Sequence, residues 1–85
     1  MYYFYVLESE DEELYYGYTK DLRRRLSQHE RGDNKTTKGK SWELVYYEAY
    51  KSEYDAKRRE EQIKLHGQAK RHLRDRIRKS RRGQS

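Results

Sequence analysis

The feature that most constrains this chain is a pair of tyrosine-rich segments separated by a run of acids. Residues 2–7, YYFYVL, are apolar or aromatic at every position. A short run without polar alternation is typical of a strand that is covered on both faces. Residues 14–18, LYYGY, repeat this chemistry around one glycine, and residues 8–13 between them are five acids and one serine. We therefore predict a hairpin whose six-residue connection stays in solvent, because it is too charged to bury.

A helix is predicted after the second of these segments. It runs from Lys20 to about Arg31, with Thr19 or Asp21 as its N-cap and Gly32 as its end. Both N-cap candidates have side-chain oxygens that accept hydrogen bonds from the first amide groups of a helix, and glycine is the usual residue just after a helix end.

One arginine of this helix is distinguished by its position. Arg25 shares a side of the helix with Leu22 and His29, whereas Arg23 and Arg24 project elsewhere. An arginine at the edge of an apolar stripe needs an anionic partner or ligand, so we assign Arg25 to a phosphate. The alternative is an arginine extended along a solvated helix surface. His29, on the same stripe, is a further candidate for contact with a nucleic acid.

Residues 32–41 contain turn formers and lysines without hydrophobic periodicity, which predicts a loop. Lys35, Lys38 and Lys40 are candidates for contacts with a sugar-phosphate backbone, because their ammonium groups pair with phosphate. A solvated loop that binds nothing is an equally simple interpretation.

The segment that follows, WELVYYEAY, predicts a third strand. Its alternation is imperfect and indicates Trp42, Leu44 and Tyr46 on one side, with Val45 and Tyr47 on the other. Three strands would leave the fully apolar first strand in the centre of the sheet.

A second helix is predicted from Ser52, its N-cap, to about His66. Ala56, Glu60 and Ile63 recur at helical spacing, which places Glu60 on the stripe that faces the sheet, while the next glutamate points away. A carboxylate on a packed face is costly unless it is paired or binds a cation. Glu60 is therefore a candidate metal ligand, and a structural ion pair with an arginine is the alternative.

Positive charge is concentrated at the C-terminal end. The chain has a net charge of +6, and residues 68–85 carry eight lysines and arginines against one aspartate, which leaves the remainder at −1. We predict a domain at residues 1–67 and a basic helix and tail at residues 68–85. This tail packs weakly on the domain or folds only against a phosphate backbone. Its candidates for nucleic-acid binding are Lys70, Arg71 and Arg74.

Composition excludes several classes of protein. The chain has 85 residues and no cysteine, so it lacks a disulfide framework and a thiolate metal site. No apolar run approaches the roughly 20 residues that a membrane span requires, and the start does not read as a signal peptide. We expect a cytoplasmic protein without membrane contact.

Combined, these residues resemble a known family. Tyr5 in the first strand, Tyr15, Tyr16 and Gly17 in the second and Arg25 on the next helix resemble the motif of the GIY-YIG nuclease superfamily. The first half of the motif lacks its glycine, as in the small standalone YhbQ-like, or UPF0213-type, members. The resemblance covers residues 2 to about 67.

The resemblance implies a single α/β domain with a three-stranded sheet flanked by helices, in the order ββαβα plus the basic C-terminal helix. It implies an endonuclease that hydrolyses DNA with Mg²⁺ or Mn²⁺, in which Glu60 holds the metal and Arg25 stabilises the phosphate. Tyr5 would accept the proton of the attacking water and Tyr15 would orient that water. Gly17 would let the backbone turn closely into the helix.

Two further hypotheses stay open. The first is a non-catalytic nucleic-acid-binding module that keeps the fold, in which tyrosines stack on bases and the tail supplies affinity. The second is an adaptor whose tail docks an acidic protein. The partner is expected to be DNA, with RNA not excluded. For the endonuclease we expect a role in DNA repair or in the processing of structured DNA, with a protein partner that supplies target specificity.

Overall fold

A computed structural model describes residues 1–31 and 39–81. The elements follow the order β1 (Tyr2–Ser9), β2 (Leu14–Thr19), α1 (Leu22–Glu30), β3 (Trp42–Tyr50), α2 (Glu53–Leu65), α3 (Gly67–Arg76) and a 3-10 turn (Arg78–Ser80). The predicted α/β class and the order of its elements are confirmed. Within the described ranges, no helix is long and apolar enough to cross a bilayer.

The sheet is antiparallel with strand order β2-β1-β3, so the apolar first strand is central, as predicted. At the middle of β1, Tyr5 lies opposite Gly17 of β2 and opposite Tyr47 of β3. Residues directly opposite each other point to the same side of a sheet. Tyr5, Gly17 and Tyr47 therefore share one face, which we call the α1 face because helix α1 lies over it.

The main core lies on the other face of the sheet, beneath α2 and α3. Its buried side chains are Phe4, Val6, Tyr16, Ile63, Leu73 and Ile77. Leu73 and Ile77 are each 1% exposed, and burial of such a side chain contributes about 1.5–3 kcal/mol. Helix α3 therefore packs into the domain core. The prediction that this segment packs weakly or folds only against a phosphate backbone was wrong, because Leu73 and Ile77 are fully buried. The division of the chain after residue 67 stays a prediction.

The acidic connection is shorter than predicted, because β1 continues through Glu8 and Ser9. Both residues are fully buried. The Glu8 carboxylate accepts a hydrogen bond from Nε of Arg81 at 2.7 Å, and Oγ of Ser9 accepts the amides of Asp11 and Glu13 at 3.1 Å each. The prediction that all of this charge stays in solvent was wrong, because an arginine 73 positions away neutralises the buried carboxylate.

Strand β3 contains an irregularity that the sequence pattern did not show. Its pairing register with β1 shifts in mid-strand. Trp42 and Leu44 lie on the α1 face, whereas Val45 and Tyr46 both pack against the core on the opposite face. The prediction that Tyr46 shares a side with Trp42 and Leu44 was wrong, because a β-bulge inserts one residue into the alternation. As a result, Tyr47 lies on the α1 face.

The N-cap of α1 is Asp21, whose carboxylate accepts the amide of Arg24 at 3.0 Å. Thr19, the other candidate, accepts the amide of Asp21 at 3.1 Å and so fixes the approach to the helix. Helix α1 therefore begins at Leu22, two residues later than predicted. Its first turn includes Arg25, which places the guanidinium near the helix N-terminus.

Candidate active site

A cleft of about 390 Å³ opens at the β2 edge of the sheet, between β1, β2 and the helices α1 and α2. It brings together the four predicted catalytic residues and the motif glycine, which are Tyr5, Tyr15, Gly17, Arg25 and Glu60. These residues come from four elements and span positions 5 to 60 of the chain. The cleft is therefore assembled by tertiary folding and not by any single segment.

Gly17 matters because the Tyr5 ring lies directly across it. A Cβ atom added at Gly17 would lie 2.5 Å from the hydroxyl oxygen of Tyr5 and 2.6 Å from Cζ. These distances are shorter than real contacts, so any larger residue would displace the phenol. We predicted that this glycine allows a tight turn into the helix. In the structure Gly17 instead lies inside β2, where its lack of a side chain makes room for the Tyr5 ring.

The Tyr5 hydroxyl is held at the base of the cleft. It is 3.1 Å from Nε2 of His29, and the residue is 1% exposed. Burial raises the pKa of Tyr5 well above its usual value, the nearby Tyr15 raises it further, and the positive charge of Arg25 opposes both. Tyr5 therefore carries its proton at neutral pH.

His29 lies behind Tyr5 and is not among the residues that line the cleft. Its ring packs edge-on against Tyr5 and Tyr15, with centroids 6.0 Å and 5.0 Å away. Burial lowers the pKa of His29, and the adjacent Arg25 lowers it further. The imidazole is therefore neutral at pH 7 and able to exchange a proton with the Tyr5 hydroxyl. The sequence placed His29 in contact with nucleic acid, whereas the geometry places it next to a phenol.

Two carboxylates lie on the α2 side of the cleft. The side chain of Glu60 is 18% exposed and lies 3.6 Å from Nζ of Lys64, so its observed partner is a lysine one turn along the helix. Glu53 also lines the cleft, seven residues before Glu60 and hence on the same side of α2. Sequence reasoning missed Glu53, although this two-turn spacing from Glu60 was available as a signal.

This donor set suits a hard divalent cation. Among the described residues, no group of three or more histidine, cysteine or acidic side chains is placed so that it could hold a metal ion. One or two carboxylates in an open polar cleft nevertheless match the needs of Mg²⁺, which keeps several waters and shares its remaining positions with substrate phosphate. The residues present therefore fit the predicted cofactor.

Two cations lie on the opposite side of the cleft, at the start of α1. Arg25 was predicted from its position on the helix, but Lys20 was not, because it immediately precedes the N-cap and lies on no periodic stripe. Lys20 and Arg25 therefore give this side of the cleft two positive charges. The cleft thus has a cationic side and an acidic side.

The loop lysines differ in their surroundings. Lys35 and Lys38 lie outside the described residues. Lys40 lies 3.4 Å from the carboxylate of Asp11 and also pairs with Glu13. A phosphate would have to compete with this acidic turn for Lys40.

The three predicted cations of α3 lie away from the cleft. None of Lys70, Arg71 and Arg74 lines it. The ammonium of Lys70 lies 5.6 Å from the ring centre of Tyr16, on the core side of the sheet. Any contact of these side chains with a nucleic acid would extend along a different surface from that of the candidate catalytic residues.

A larger cleft of about 710 Å³ lies between β3, α2 and α3. Its centre is Glu48, which accepts hydrogen bonds from the hydroxyls of Tyr46, at 2.7 Å, and Tyr50, and from Nε of Arg59 at 3.1 Å. Burial works against ionisation of Glu48, but these donors outweigh it and lower the pKa of its carboxyl. Both carboxylate oxygens accept hydrogen bonds. Because one of the donors, Arg59, belongs to α2, Glu48 stabilises the packing of this helix on the sheet.

Comparison with known proteins gives consistent matches. The family model described as the GIY-YIG catalytic domain matches residues 1–74. A UPF0213 protein of Natronomonas pharaonis is 43% identical over 70 residues, covering 80% of this chain and 82% of the relative. A UPF0213 protein of Haloquadratum walsbyi is 39% identical over 70 residues, covering 80% and 79%. The solution NMR structure of a UPF0213 protein from Bacillus halodurans superposes with a TM-score of 0.54 at 38% identity, covering 86% of this chain and 82% of that chain.

Proposed function

Because the chain belongs to the GIY-YIG catalytic domain family, we propose that it is an endonuclease that hydrolyses phosphodiester bonds in DNA with a divalent metal ion, Mg²⁺ or Mn²⁺. The observation that carries this proposal is the convergence of Tyr5, Tyr15, Arg25 and Glu60 on one cleft. A phosphodiester is anionic, and its hydrolysis requires an activated water and stabilisation of the charge that develops on the phosphate. The two sides of the cleft supply groups for both tasks.

The cationic side of the cleft binds the scissile phosphate. The guanidinium of Arg25 offers several N–H donors in a fixed plane, which suits the oxygens of a phosphate. Lys20 adds a second positive charge beside it. Both groups lie near the start of α1, where their positive charges would stabilise the charge that develops on the phosphate.

The acidic side of the cleft would hold the metal. Glu60 would be its main protein ligand and Glu53 a second carboxylate nearby. When bound, the cation supplies positive charge to the phosphate and favours ionisation of a water. Lys64 lies 3.6 Å from the Glu60 carboxylate and 5.9 Å from the ring centre of Tyr15, so a cation held by Glu60 would have to compete with its ammonium group.

Proton transfer runs through Tyr5 and His29. A buried phenol whose pKa is raised is a poor base by itself. The neutral imidazole of His29 removes this difficulty, because the Tyr5 oxygen accepts a proton from water as its own proton passes to Nε2 of His29. The phenol then remains neutral throughout, and Tyr15, which packs against both rings, orients the pair.

The non-catalytic binding module remains the second candidate. The raised pKa of Tyr5 and the pairing of Glu60 with Lys64 favour it, because both are also found in a merely structural cluster. A role in DNA repair, a cytoplasmic location and a partner protein that supplies target specificity belong to the same proposal. RNA is the alternative substrate, since the two groups that we assign to substrate binding, Arg25 and Lys20, pair with phosphate and not with the sugar.

The test is a cleavage assay on linear, flapped and branched DNA of the same length, with Mg²⁺, with Mn²⁺ and with EDTA. A parallel RNA substrate addresses the choice of nucleic acid. The proposal requires cleavage with one of the metals and none in EDTA. Binding without cleavage under every metal condition would favour the binding module.

A further inference from the structure

Another cleft, of about 450 Å³, lies on the α1 face beside the candidate active site. Its floor is formed by Tyr3 of β1 and Tyr47 of β3, and its wall by Leu22 and Leu26 of α1. Lys20 lines this cleft and also the catalytic cleft. The cleft of about 450 Å³, which we call the tyrosine cleft, is therefore a neighbour of the catalytic cleft and shares one cation with it.

Tyr47 is unusually exposed for an aromatic residue within a sheet. Its exposed fraction is 52%, and its ring lies edge-on to Tyr3 with centroids 5.9 Å apart. The bulge in β3 turns Tyr47 away from the main core, and α1 leaves much of its ring uncovered. The fold therefore presents an aromatic surface next to the place where the scissile phosphate is proposed to bind.

The charge around these rings is positive. Lys20 and Arg23 line the tyrosine cleft together with Asp21. The carboxylate of Asp21 is already used, because it caps α1 by accepting the amide of Arg24. A ligand for this cleft accordingly combines a flat apolar surface with negative charge, and a nucleotide has both properties.

We propose that the tyrosine cleft binds an unpaired nucleotide of the substrate strand, with its base against Tyr47 and Tyr3 and its phosphates at Lys20 and Arg23. This inference rests on the proposed function, because it places the nucleotide next to the phosphate at Arg25. A base within an intact duplex has both faces stacked on its neighbours and is unavailable to a protein ring. The cleft thus selects a single strand, or a duplex with an unpaired nucleotide near the cut.

The binding experiment separates stacking from charge. Two fluorescein-labelled strands of equal length are compared by anisotropy in EDTA, one of thymidines and one with abasic sites at the central positions. Both carry the same number of phosphates, so a difference in affinity reports on the bases. Wild type is expected to bind the thymidine strand about 5- to 150-fold more tightly for each base that stacks.

Three variants assign this difference to the cleft. Tyr47→Ala is expected to bind both strands equally, at the wild-type affinity for the abasic strand, whereas Tyr47→Phe keeps the preference because it keeps the ring. Tyr54→Ala is the matched control, since Tyr54 is a tyrosine of α2 that is 68% exposed. It is expected to behave as wild type.

The inference is overturned if wild type binds the two strands equally, or if Tyr47→Ala keeps the preference. It is also overturned if Tyr47→Ala changes the mass measured by light scattering, because the ring would then cover a second copy of the chain. Failure of the nuclease proposal is distinguishable, since none of these measurements requires cleavage. If the protein cuts no substrate but its preference for the thymidine strand depends on Tyr47, the nucleotide-binding site is supported and the nuclease proposal is rejected.

Discussion

The hydroxyl of Tyr5 lies 3.1 Å from Nε2 of His29, although the two residues are 24 positions apart in the chain. The contact joins the central strand to the first helix, and it is buried beneath a cleft that also contains Arg25. Removal of the imidazole takes away the group to which we assign the proton of the phenol, while Arg25 and Lys20 are unchanged. The role of His29 is thus separable from the role of phosphate binding.

Replacement of His29 by alanine is expected to lower the single-turnover cleavage rate by about 10²- to 10⁴-fold, the usual contribution of general acid–base catalysis. Duplex affinity in EDTA should change little, because the cationic side of the cleft is intact. His72→Ala, a change at an exposed histidine of α3, serves as the control. Equal losses of binding and cleavage in His29→Ala would instead indicate that His29 only supports the fold.

The pH dependence follows from the lowered pKa of His29. The unfolded value is 6.5 and the folded value lies below it, so the imidazole is a proton acceptor at neutral pH. The cleavage rate should be constant near neutrality and decline only as the pH falls well below 6.5. The free energy of unfolding also decreases as the pH falls, because the unfolded chain binds this proton at a higher pH than the folded chain does. This loss of stability begins as the pH falls below 6.5 and is complete below the pKa of His29 in the folded protein. A rate that declines already above pH 7 would contradict this assignment, and NMR titration of the assigned imidazole is the direct check.

Replacement of Gly17 by alanine is expected to displace the Tyr5 ring, because the new Cβ would lie 2.5 Å from the phenol oxygen. We expect a loss of stability of about 1–3 kcal/mol, typical of overpacking in a core, and loss of cleavage. Gly67→Ala is the matched control, since an added Cβ there meets nothing within 4 Å. Thermal unfolding of the two variants gives the comparison, and a Gly17→Ala protein as stable as Gly67→Ala would show that the ring relocates freely.

Arg81, close to the C-terminal end, is expected to matter for stability as much as a core residue. Its guanidinium neutralises the fully buried Glu8 carboxylate and also donates to the backbone oxygen of Glu12 at 3.0 Å. Arg81→Ala should destabilise the protein by about 3 kcal/mol, as loss of one partner of a buried pair does. In chemical denaturation, Lys79→Ala should have little effect. In a Glu8→Gln background the cost of Arg81→Ala should shrink, and an undiminished cost there would mean that the pair does not account for it.

The sequence predicted what depends on local pattern and missed what depends on tertiary contacts. The apolar run of β1 and the cap at Ser52 were sufficient to predict a central strand and the start of α2, both of which the structure has. The burial of Glu8 was not predictable, because its partner Arg81 lies 73 positions away in the sequence and is close to Glu8 only in the tertiary structure. The bulge in β3 was visible only as imperfect alternation of apolar and polar residues, since a one-residue shift in pairing register does not change the residue types of the strand.

The same distinction applies to the cleft. Helical periodicity selected Glu60 and Arg25, and the structure brings both to one cleft. Lys20 lies just before a helix and has no periodic neighbours, so its proximity to Arg25 follows from the turn that Thr19 and Asp21 form. The role of Gly17 likewise depends on a ring from another strand.

Glu60 separates the nuclease from the binding module. Glu60→Gln keeps the shape of the side chain but removes the negative charge that would hold a divalent cation. We expect cleavage with Mg²⁺ or Mn²⁺ to fall by orders of magnitude, on the scale of about 10²-fold or more. Duplex affinity in EDTA should stay near the wild-type value, because Arg25 and Lys20 are unchanged.

The matched control for this variant is Glu61→Gln, one residue along α2 and exposed. It removes the same charge from the same helix without touching the cleft, so it should cleave at the wild-type rate.

The stability of Glu60→Gln gives a further measurement. This variant loses the ion pair with Lys64, which is partly exposed and spans one helical turn. Such pairs contribute about 0.5 kcal/mol, so the free energy of unfolding should change by no more than that. If wild type cuts no substrate with any divalent metal and Glu60→Gln lowers only the melting temperature, Glu60 is half of a structural ion pair. The binding module would then be the better description of this chain.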